Sequence, residues 1–390
     1  MNKYAVIFFS LLLSGVASAE KWDNENSPYH FTKIIERNLI TQFELLPLKG
    51  KLDDERLGWS ETYWPSNKGG IAFRWNHPDP NPFFYQLHTK EELKKMSREE
   101  LSRLSPAELY DIAMGDYQFT LTRRTLNLFN PRDLWWEGIC HGWAQAAANY
   151  PEPASVLILN KDGIKVPFGS SDVKALLSMH DAYNSVGTYT HIGLRCGIRG
   201  KVPGEASPRD GEVPEPSEEA ANSPACKDVN AGAFHMVMTN MIGIYSKGLV
   251  ADVDRYSDVW NQPVVAYESQ IVAEMPVTHE DRLAGIERRV HVIMKMTYGE
   301  ELQFMSPEAI DRGEENFVSK KPVTRTRHQA FRHKDYEYLL ELDAFGNITG
   351  GDWISATRPD FIWIKKRDQK FQNNPMPLGG LSRIYKPVKY

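Results

Sequence analysis

The pattern of apolar and polar positions divides the chain into a helical first part and a strand-rich second part. Residues 20–130 are mostly helical in pattern, and three Ser or Thr residues each precede a Glu by three positions, as in a capping box. These boxes begin at Thr89, Ser97 and Ser105. Pro106 follows the last of them at the first helical position, which suits a residue without an amide N–H. This part is interpreted as scaffold.

From residue 233 onward the pattern becomes typical of strands. The apolar runs 234–245 and 249–254 flank a turn at Ser246-Lys247-Gly248, and they predict a hairpin. Further strands are predicted at 290–298, 336–342, 347–354 and 361–364. Helices first and an antiparallel sheet afterwards predict the α+β class. The catalytic core is expected over 131–365, and the basic residues 366–390 are interpreted as a surface tail.

The first 19 residues have the pattern of a secretory signal. Lys3 supplies the charged start, residues 5–13 the apolar run, and Ala17-Ser18-Ala19 the cleavage pattern. The run is too short to cross a bilayer, and no later run approaches the roughly 20 apolar residues that a crossing needs. We expect a soluble periplasmic or extracellular protein without membrane contact. Its net charge of −5, without a basic stripe, disfavours nucleic-acid binding.

An exported chain with three cysteines leaves one thiol unpaired. Cys196 and Cys226 bracket a stretch rich in Gly, Pro, Ser and Glu, so they are the expected disulfide and close a flexible loop over 197–225. Cys140 precedes a strong helix-forming run that ends before Pro151. A thiol at a helix N-terminus lies at the positive end of the helix dipole, which favours the thiolate. Cys140 is therefore the candidate nucleophile.

A nucleophilic thiol needs a base and a group that orients the base. His235 lies at the predicted start of the 234–245 strand, directly after the flexible loop, and is the candidate base. The returning strand carries Asp252 and Asp254 on one face, and Asn261 follows, so three residues compete for the orienting role. His141 adjoins Cys140, but adjacent residues at a helix start point in different directions, which makes it a poor base.

The sequence gives little sign of a metal or cofactor site. Cys140-His141 lacks zinc-type spacing, and the acidic residues at 252, 254 and 258 do not form an EF-hand loop. No glycine loop of the phosphate-binding kind occurs. We expect no cofactor, with calcium dependence and oligomeric state left open.

Several motifs resemble the oomycete transglutaminase elicitor family and its bacterial relatives. The hexapeptide 259–264 resembles the start of the surface peptide through which those proteins trigger plant defence, and after Pro263 the likeness fades. The other motifs are Cys140-His141-Gly142-Trp143-Ala144, Val166-Pro167-Phe168, the run 171–177, Leu104-Ser105-Pro106-Ala107-Glu108 and Gly350-Gly351-Asp352-Trp353. Together they extend over most of the mature chain.

The resemblance implies a protein–glutamine γ-glutamyltransferase with a papain-like core, in which a Cys-bearing helix packs on a sheet carrying His and Asp. It implies Cys140 as nucleophile, His235 as base and Asp252 as orienting acid. The expected substrates are proteins that offer glutamine, together with lysine or small amines. A tunnel that leads to Cys140 and excludes water could be lined by Trp135, Trp136 or Trp143. The alternatives are a cysteine peptidase or amidase with the same triad, and a non-catalytic secreted binding or elicitor protein.

Overall fold

The computed structural model describes residues 22–53, 56–81, 83–195, 228–253, 255, 258–302 and 331–388. The signal segment, Cys196, Cys226, the 197–225 loop and Asp254 lie outside these residues, so the predictions about them stay predictions. The described α-helices are α1 (Thr32–Ile35), α2 (Lys90–Leu93), α3 (Arg98–Leu101), α4 (Pro106–Met114), α5 (Thr120–Leu128), α6 (Cys140–Asn149), α7 (Ser170–Met179), α8 (Ala231–Met238) and α9 (His279–Leu283).

The described strands form one large antiparallel sheet and one small one. They are β1 (Lys49–Lys51), β2 (Val156–Leu159), β3 (Lys165–Phe168), β4 (Tyr189–Gly193), β5 (Leu249–Asp252), β6 (Asn261–Met275), β7 (Arg288–Gly299), β8 (Phe331–Leu342), β9 (Ile348–Trp353) and β10 (Phe361–Lys365). The large sheet is curled and runs β4-β10-β5-β6-β7-β8-β9, with β1 also paired to β6. Strands β2 and β3 form the second sheet. The α+β class is confirmed.

The three predicted capping boxes are confirmed. The side chains of Thr89, Ser97 and Ser105 each accept a hydrogen bond from the amide N–H of the Glu three residues later. The carboxylate of that Glu accepts a hydrogen bond from the amide N–H of the capping residue. At Ser105 the box is fully buried, and Glu108 also pairs with Arg74. Local side-chain chemistry therefore determines where these helices begin.

Two apolar cores lie on either side of α6. The first core fills the curl of the large sheet around α8, and its members include Phe234, Met236, Val292 and Leu340. The second core joins α4, α5 and α7 to the C-terminal segment, and its members include Leu109, Phe168, Leu176 and Leu381. Ala144 of α6 belongs to the first core, whereas Cys140 and Trp143 belong to the second. The helix that carries the candidate nucleophile is thus held by both.

The predicted strand over 234–245 is wrong, because the structure forms a helix there. Asn230 caps α8 by accepting the amide N–H groups of Gly232 and Ala233, and a π-helical turn over Thr239–Ile244 continues it. Every residue of α8 is buried. A helix that is apolar all round has no amphipathic period, and an apolar run cannot distinguish it from a buried strand.

The motif Gly350-Gly351 lies where α8 meets β9 at close range. A Cβ atom on Gly232 would come within 2.3 Å of the Gly350 carbonyl oxygen, and one on Gly351 within 2.5 Å of the Leu339 carbonyl oxygen. Only glycine allows this separation between helix and strand. These glycines therefore serve the packing of α8 inside the sheet.

The predicted strands over 290–298, 336–342 and 361–364 are confirmed within β7, β8 and β10. The long strand β6 was not predicted, and β-bulges interrupt its pairing with β7 near Val264 and Ile271. The interpretation of 366–390 as a surface tail is wrong for the described residues, since Leu378, Leu381 and Ile384 are fully buried in the second core.

Gly142, in the first turn of α6, is expected to tolerate no side chain. Its Cβ would lie 2.1 Å from the Ser178 carbonyl oxygen and 2.7 Å from the Ala182 Cβ. We expect Gly142→Ala to lower the free energy of unfolding by about 1–3 kcal/mol or more, because an overpacked core must shift. Urea unfolding measures this. Gly58→Ala is the control, since its nearest neighbour would lie at 3.4 Å, and an equal loss in both variants would contradict the packing argument.

Candidate active site

Cys140 begins α6 beneath a tight loop. The amide of the preceding residue, Ile139, donates to the Tyr63 carbonyl oxygen at 2.8 Å, and Gly138 packs directly against that same carbonyl. The Cys140 thiol is free of any disulfide, and the residue is 7% exposed. The expected placement at a helix N-terminus is therefore confirmed, while the thiol is more enclosed than the sequence suggests.

Asn261, at the start of β6, holds the sulfur from the sheet side. Its Nδ2 lies 3.6 Å from Cys140 Sγ, and its Oδ1 accepts the indole N–H of Trp363 at 2.7 Å. Because an indole N–H can only donate, the Trp363 bond fixes which end of the amide faces the sulfur. Asn261 therefore presents a donor to the thiol, an arrangement that stabilises a thiolate.

Asp252 ends β5 directly opposite Asn261 in the antiparallel register. Paired residues of neighbouring strands project to the same face of a sheet, which places the carboxylate on the side of the sulfur. Asp252 is fully buried, and its Oδ1 accepts the amide N–H of Trp260 at 3.3 Å. Cys140, Asn261 and Asp252 thus converge from one helix and two strands.

Burial raises the pKa of the Cys140 thiol, and the negative charge of Asp252 raises it further. The backbone and side-chain N–H groups of Asn261 and the backbone N–H of His141 act in the opposite direction. Burial outweighs these donors, because a thiolate loses more hydration than a few sulfur hydrogen bonds return. The resting group is therefore the protonated thiol at neutral pH.

His235 is not brought to this cluster. It lies on α8 rather than on a strand of the sheet, which corrects the expectation that the sheet carries the histidine. Its Nδ1 is 2.8 Å from the Tyr338 hydroxyl, and its ring packs 5.7 Å from the Phe43 ring. Among the described hydrogen bonds and ion pairs, none joins it to Cys140 or Asp252. Burial lowers the pKa of His235 to about 3, so its ring is neutral.

His141 also keeps a neutral ring, because burial and the charge of Lys365 lower its pKa to about 4. Asn261, the third choice for the orienting group, is the sheet residue that contacts the sulfur directly. The signal that could have identified it is its position directly across the hairpin from Asp252. Of the predicted site residues, Asp252 lies near enough for its charge to act on the Cys140 thiol, whereas His235 is bonded to Tyr338 instead.

Three aromatic residues surround the loop that leads to the thiol. The Trp260 ring lies 5.3 Å from the Tyr63 ring and 6.1 Å from the Trp135 ring, and the Tyr63 hydroxyl donates to the Trp135 carbonyl oxygen. Trp135 is 52% exposed. Trp143, in contrast, is fully buried and donates its indole N–H to the Trp59 carbonyl oxygen. It belongs to the core rather than to a substrate path.

No cluster of three or more His, Cys, Asp or Glu side chains suited to a metal occurs within the described ranges. None of the helices in those ranges is both long enough and apolar enough to cross a membrane.

The sequence profile of the transglutaminase elicitor family matches residues 133–382, which is more than half of the chain. The chain belongs to this family. The fold is similar to that in the crystal structure of the GP42 transglutaminase from Phytophthora sojae, with a TM-score of 0.62. That match covers 94% of this chain and 98% of the other at 19% identity. A comparison with curated proteins gave no match.

The segment that resembles the defence-triggering peptide is not on the surface here. Trp260 through Val264 are buried, and the segment forms the start of β6 beside the sulfur. In this chain its Asn261 contacts the candidate nucleophile. The segment therefore builds the site.

Proposed function

We propose that the protein is a secreted protein–glutamine γ-glutamyltransferase, in which Cys140 forms a thioester with a substrate glutamine. The observation that carries the proposal is the convergence of Asn261 and Asp252 on the Cys140 sulfur at the start of α6. A helix start facing a sheet that supplies polar groups is the layout of a papain-like core, which we propose for residues 131–365. The family membership supports acyl transfer from glutamine as the reaction.

The proposed chemistry begins with proton transfer from the Cys140 thiol. The charge of Asp252 acts on that thiol. We assign Asp252 as proton acceptor, in place of the orienting role expected from the sequence. As sulfur bonds to the carboxamide carbon, the proton passes to Asp252 and then to the departing nitrogen, which leaves as ammonia. A buried acid next to the reacting atoms can make such a transfer.

The second half returns the enzyme to its resting state. The amine of a lysine or a small molecule attacks the thioester carbon, the C–S bond breaks, and the amine proton returns to sulfur through Asp252. Water in place of the amine gives deamidation. The Asn261 side-chain N–H faces the sulfur, where it stabilises negative charge in both steps.

Trp135, with Tyr63 and Trp260 behind it, offers an apolar surface beside the loop that carries Cys140. We propose that it receives the peptide on either side of the reactive glutamine. An exposed indole contributes a large contact area at small entropic cost. The acceptor arrives as lysine or a small amine, and no cofactor is assigned.

The enclosed thiol with its raised pKa favours a second candidate, a non-catalytic binding protein with a structural cysteine. A cysteine peptidase or amidase would form the same acyl-enzyme and differ only in the acceptor. Incorporation of a biotinylated primary amine into a glutamine-bearing protein separates all three. The transferase gives labelled protein, a peptidase gives cleaved protein, an amidase gives unlabelled protein whose glutamine has become glutamate by mass, and the binding protein leaves the substrate unchanged.

His235→Gln is expected to lower stability and spare turnover. It removes the ring from the Tyr338 hydroxyl, and an unsatisfied buried hydroxyl costs about 1–3 kcal/mol. Amine incorporation per folded molecule should stay within about tenfold of the parent, since the ring does not touch the sulfur. Chemical unfolding and the incorporation assay measure the two effects.

Tyr338→Phe is the matched control, because it breaks the same bond and keeps the imidazole. We expect a similar loss of stability and no loss of turnover. If His235→Gln loses turnover by orders of magnitude while Tyr338→Phe keeps it, His235 is the base that the sequence predicts.

A further inference from the structure

A basic groove lies at the C-terminal end of α6, the end opposite Cys140. Its volume is about 370 Å³, within the range of roughly 300–1,000 Å³ typical of ligand sites. Arg56, Lys247, Lys366 and Arg367 line it, and no Asp or Glu of the described residues is among its lining side chains. A ten-residue helix is about 15 Å long, so the groove is distinct from the thiol.

The cations of the basic groove are fixed mostly by neutral partners. Lys247 donates to the Ile34 carbonyl oxygen at 2.8 Å, and Arg56 donates to the Ser246 carbonyl oxygen at 3.1 Å. Arg367 stacks over the Tyr150 ring at 4.3 Å. Only Lys366 among the four has a described carboxylate partner, Glu36. Most of the positive charge is therefore left for a ligand.

The cations also act on one another. Burial lowers the pKa of Lys247, and the charges of Lys366, Arg56 and Arg37 add to that lowering, whereas Glu36 opposes it. Like charges held together in this way are relieved by an anion. Ala148 and Pro151, both half-buried, supply apolar contact along the groove. A bare inorganic anion would leave that apolar surface uncovered.

We propose that the basic groove docks a carboxylate-rich, partly apolar segment of a protein substrate. The proposal rests on the proposed function, since it takes the substrate to be a protein. Carboxylates would pair with the arginines at the rim, and leucine-type side chains would cover the apolar wall. Docking there would hold a substrate whose glutamine reaches Cys140.

The experiment measures fluorescence anisotropy of a labelled peptide of alternating glutamate and leucine, using Cys140→Ala so that no chemistry occurs. The double variant Arg56→Gln/Arg367→Gln should weaken binding roughly 2- to 30-fold, because each exposed charge pair contributes modestly. The matched control is Arg123→Gln/Arg132→Gln, which removes the same charge from exposed sites elsewhere. Its affinity should equal that of the parent. A peptide with serine in place of glutamate should not bind.

Unchanged affinity in Arg56→Gln/Arg367→Gln, or an equal loss in the control, would overturn the proposal. Displacement of the peptide by an equal concentration of inorganic phosphate would show a simple anion site instead. Tighter binding of a single-stranded oligonucleotide would show a nucleic-acid surface and also overturn it. If the Cys140→Ala protein binds the peptide but the unsubstituted protein incorporates no amine, the docking proposal holds and only the transferase proposal is overturned.

Discussion

Cys140→Ala should reduce amine incorporation to background, a loss of at least about 10³-fold in turnover. The sulfur is the atom that carries the acyl group, so no neighbouring group can replace it. The alanine side chain fits the space left by the thiol, and we expect the folded state to remain intact. The measurement is incorporation of a biotinylated amine, with thermal unfolding recorded on the same samples.

Cys140→Ser is the closest control in shape. Its hydroxyl is a far weaker nucleophile at neutral pH. The turnover of Cys140→Ser should therefore fall nearly as low as that of the alanine variant. Mass spectrometry of the parent with a glutamine substrate and no amine should detect the acylated Cys140 peptide. Full incorporation by Cys140→Ala would place the reaction elsewhere and leave this thiol a structural one.

The sequence predicts the parts of the site that depend on local signals. The extent of α6 follows from helix propensity and from Pro151 just after its end, and the odd thiol follows from counting cysteines. Asp252 and Asp254 follow as candidates from alternation along the strand predicted after the turn at Ser246-Lys247-Gly248, and the family resemblance favours Asp252. The helix and strand signals involve residues close together in sequence, and the cysteine count needs only composition, so no tertiary contact was needed to interpret them.

The position of His235 could not be predicted in the same way. Its run of apolar neighbours is compatible with a buried strand or a buried helix, and Asn230 as a helix cap is a weak signal by itself. The curl of the sheet decides between strand and helix for this segment, because it leaves an interior that α8 fills. The burial of Leu381 and Ile384 follows equally from distant partners, since a polar, Pro-containing segment shows no periodicity.

The contact between Asn261 and Cys140 joins residues far apart in the chain, and it depends on the register of β5 with β6. That register puts Asn261 opposite Asp252, and Trp363 of β10 then orients the amide. A shift of β6 by one residue would turn Asn261 to the face opposite Asp252. The site is therefore a product of strand pairing, which is why the sequence left three candidates open.

Asp252→Asn should make the Cys140 thiol more acidic and at the same time lower turnover. The charge of Asp252 raises the pKa of Cys140, so its removal should lower that pKa and enlarge the thiolate fraction at neutral pH. Iodoacetamide should then alkylate Cys140 faster at pH 7, and the alkylation profile should shift toward lower pH. Amine incorporation should nevertheless fall by about 10²–10⁴-fold, because asparagine cannot carry the proton to ammonia.

The opposite directions of these two effects make the test specific. Asp111→Asn serves as control, since Asp111 is a buried acid held by the amide N–H groups of Leu121 and Thr122. It should cost stability and leave the alkylation profile of Cys140 unchanged. If Asp252→Asn shifts alkylation toward higher pH, its carboxylate stabilises rather than opposes the thiolate. If turnover is unchanged, another group carries the proton, and a base such as His235 must approach the sulfur when substrate binds.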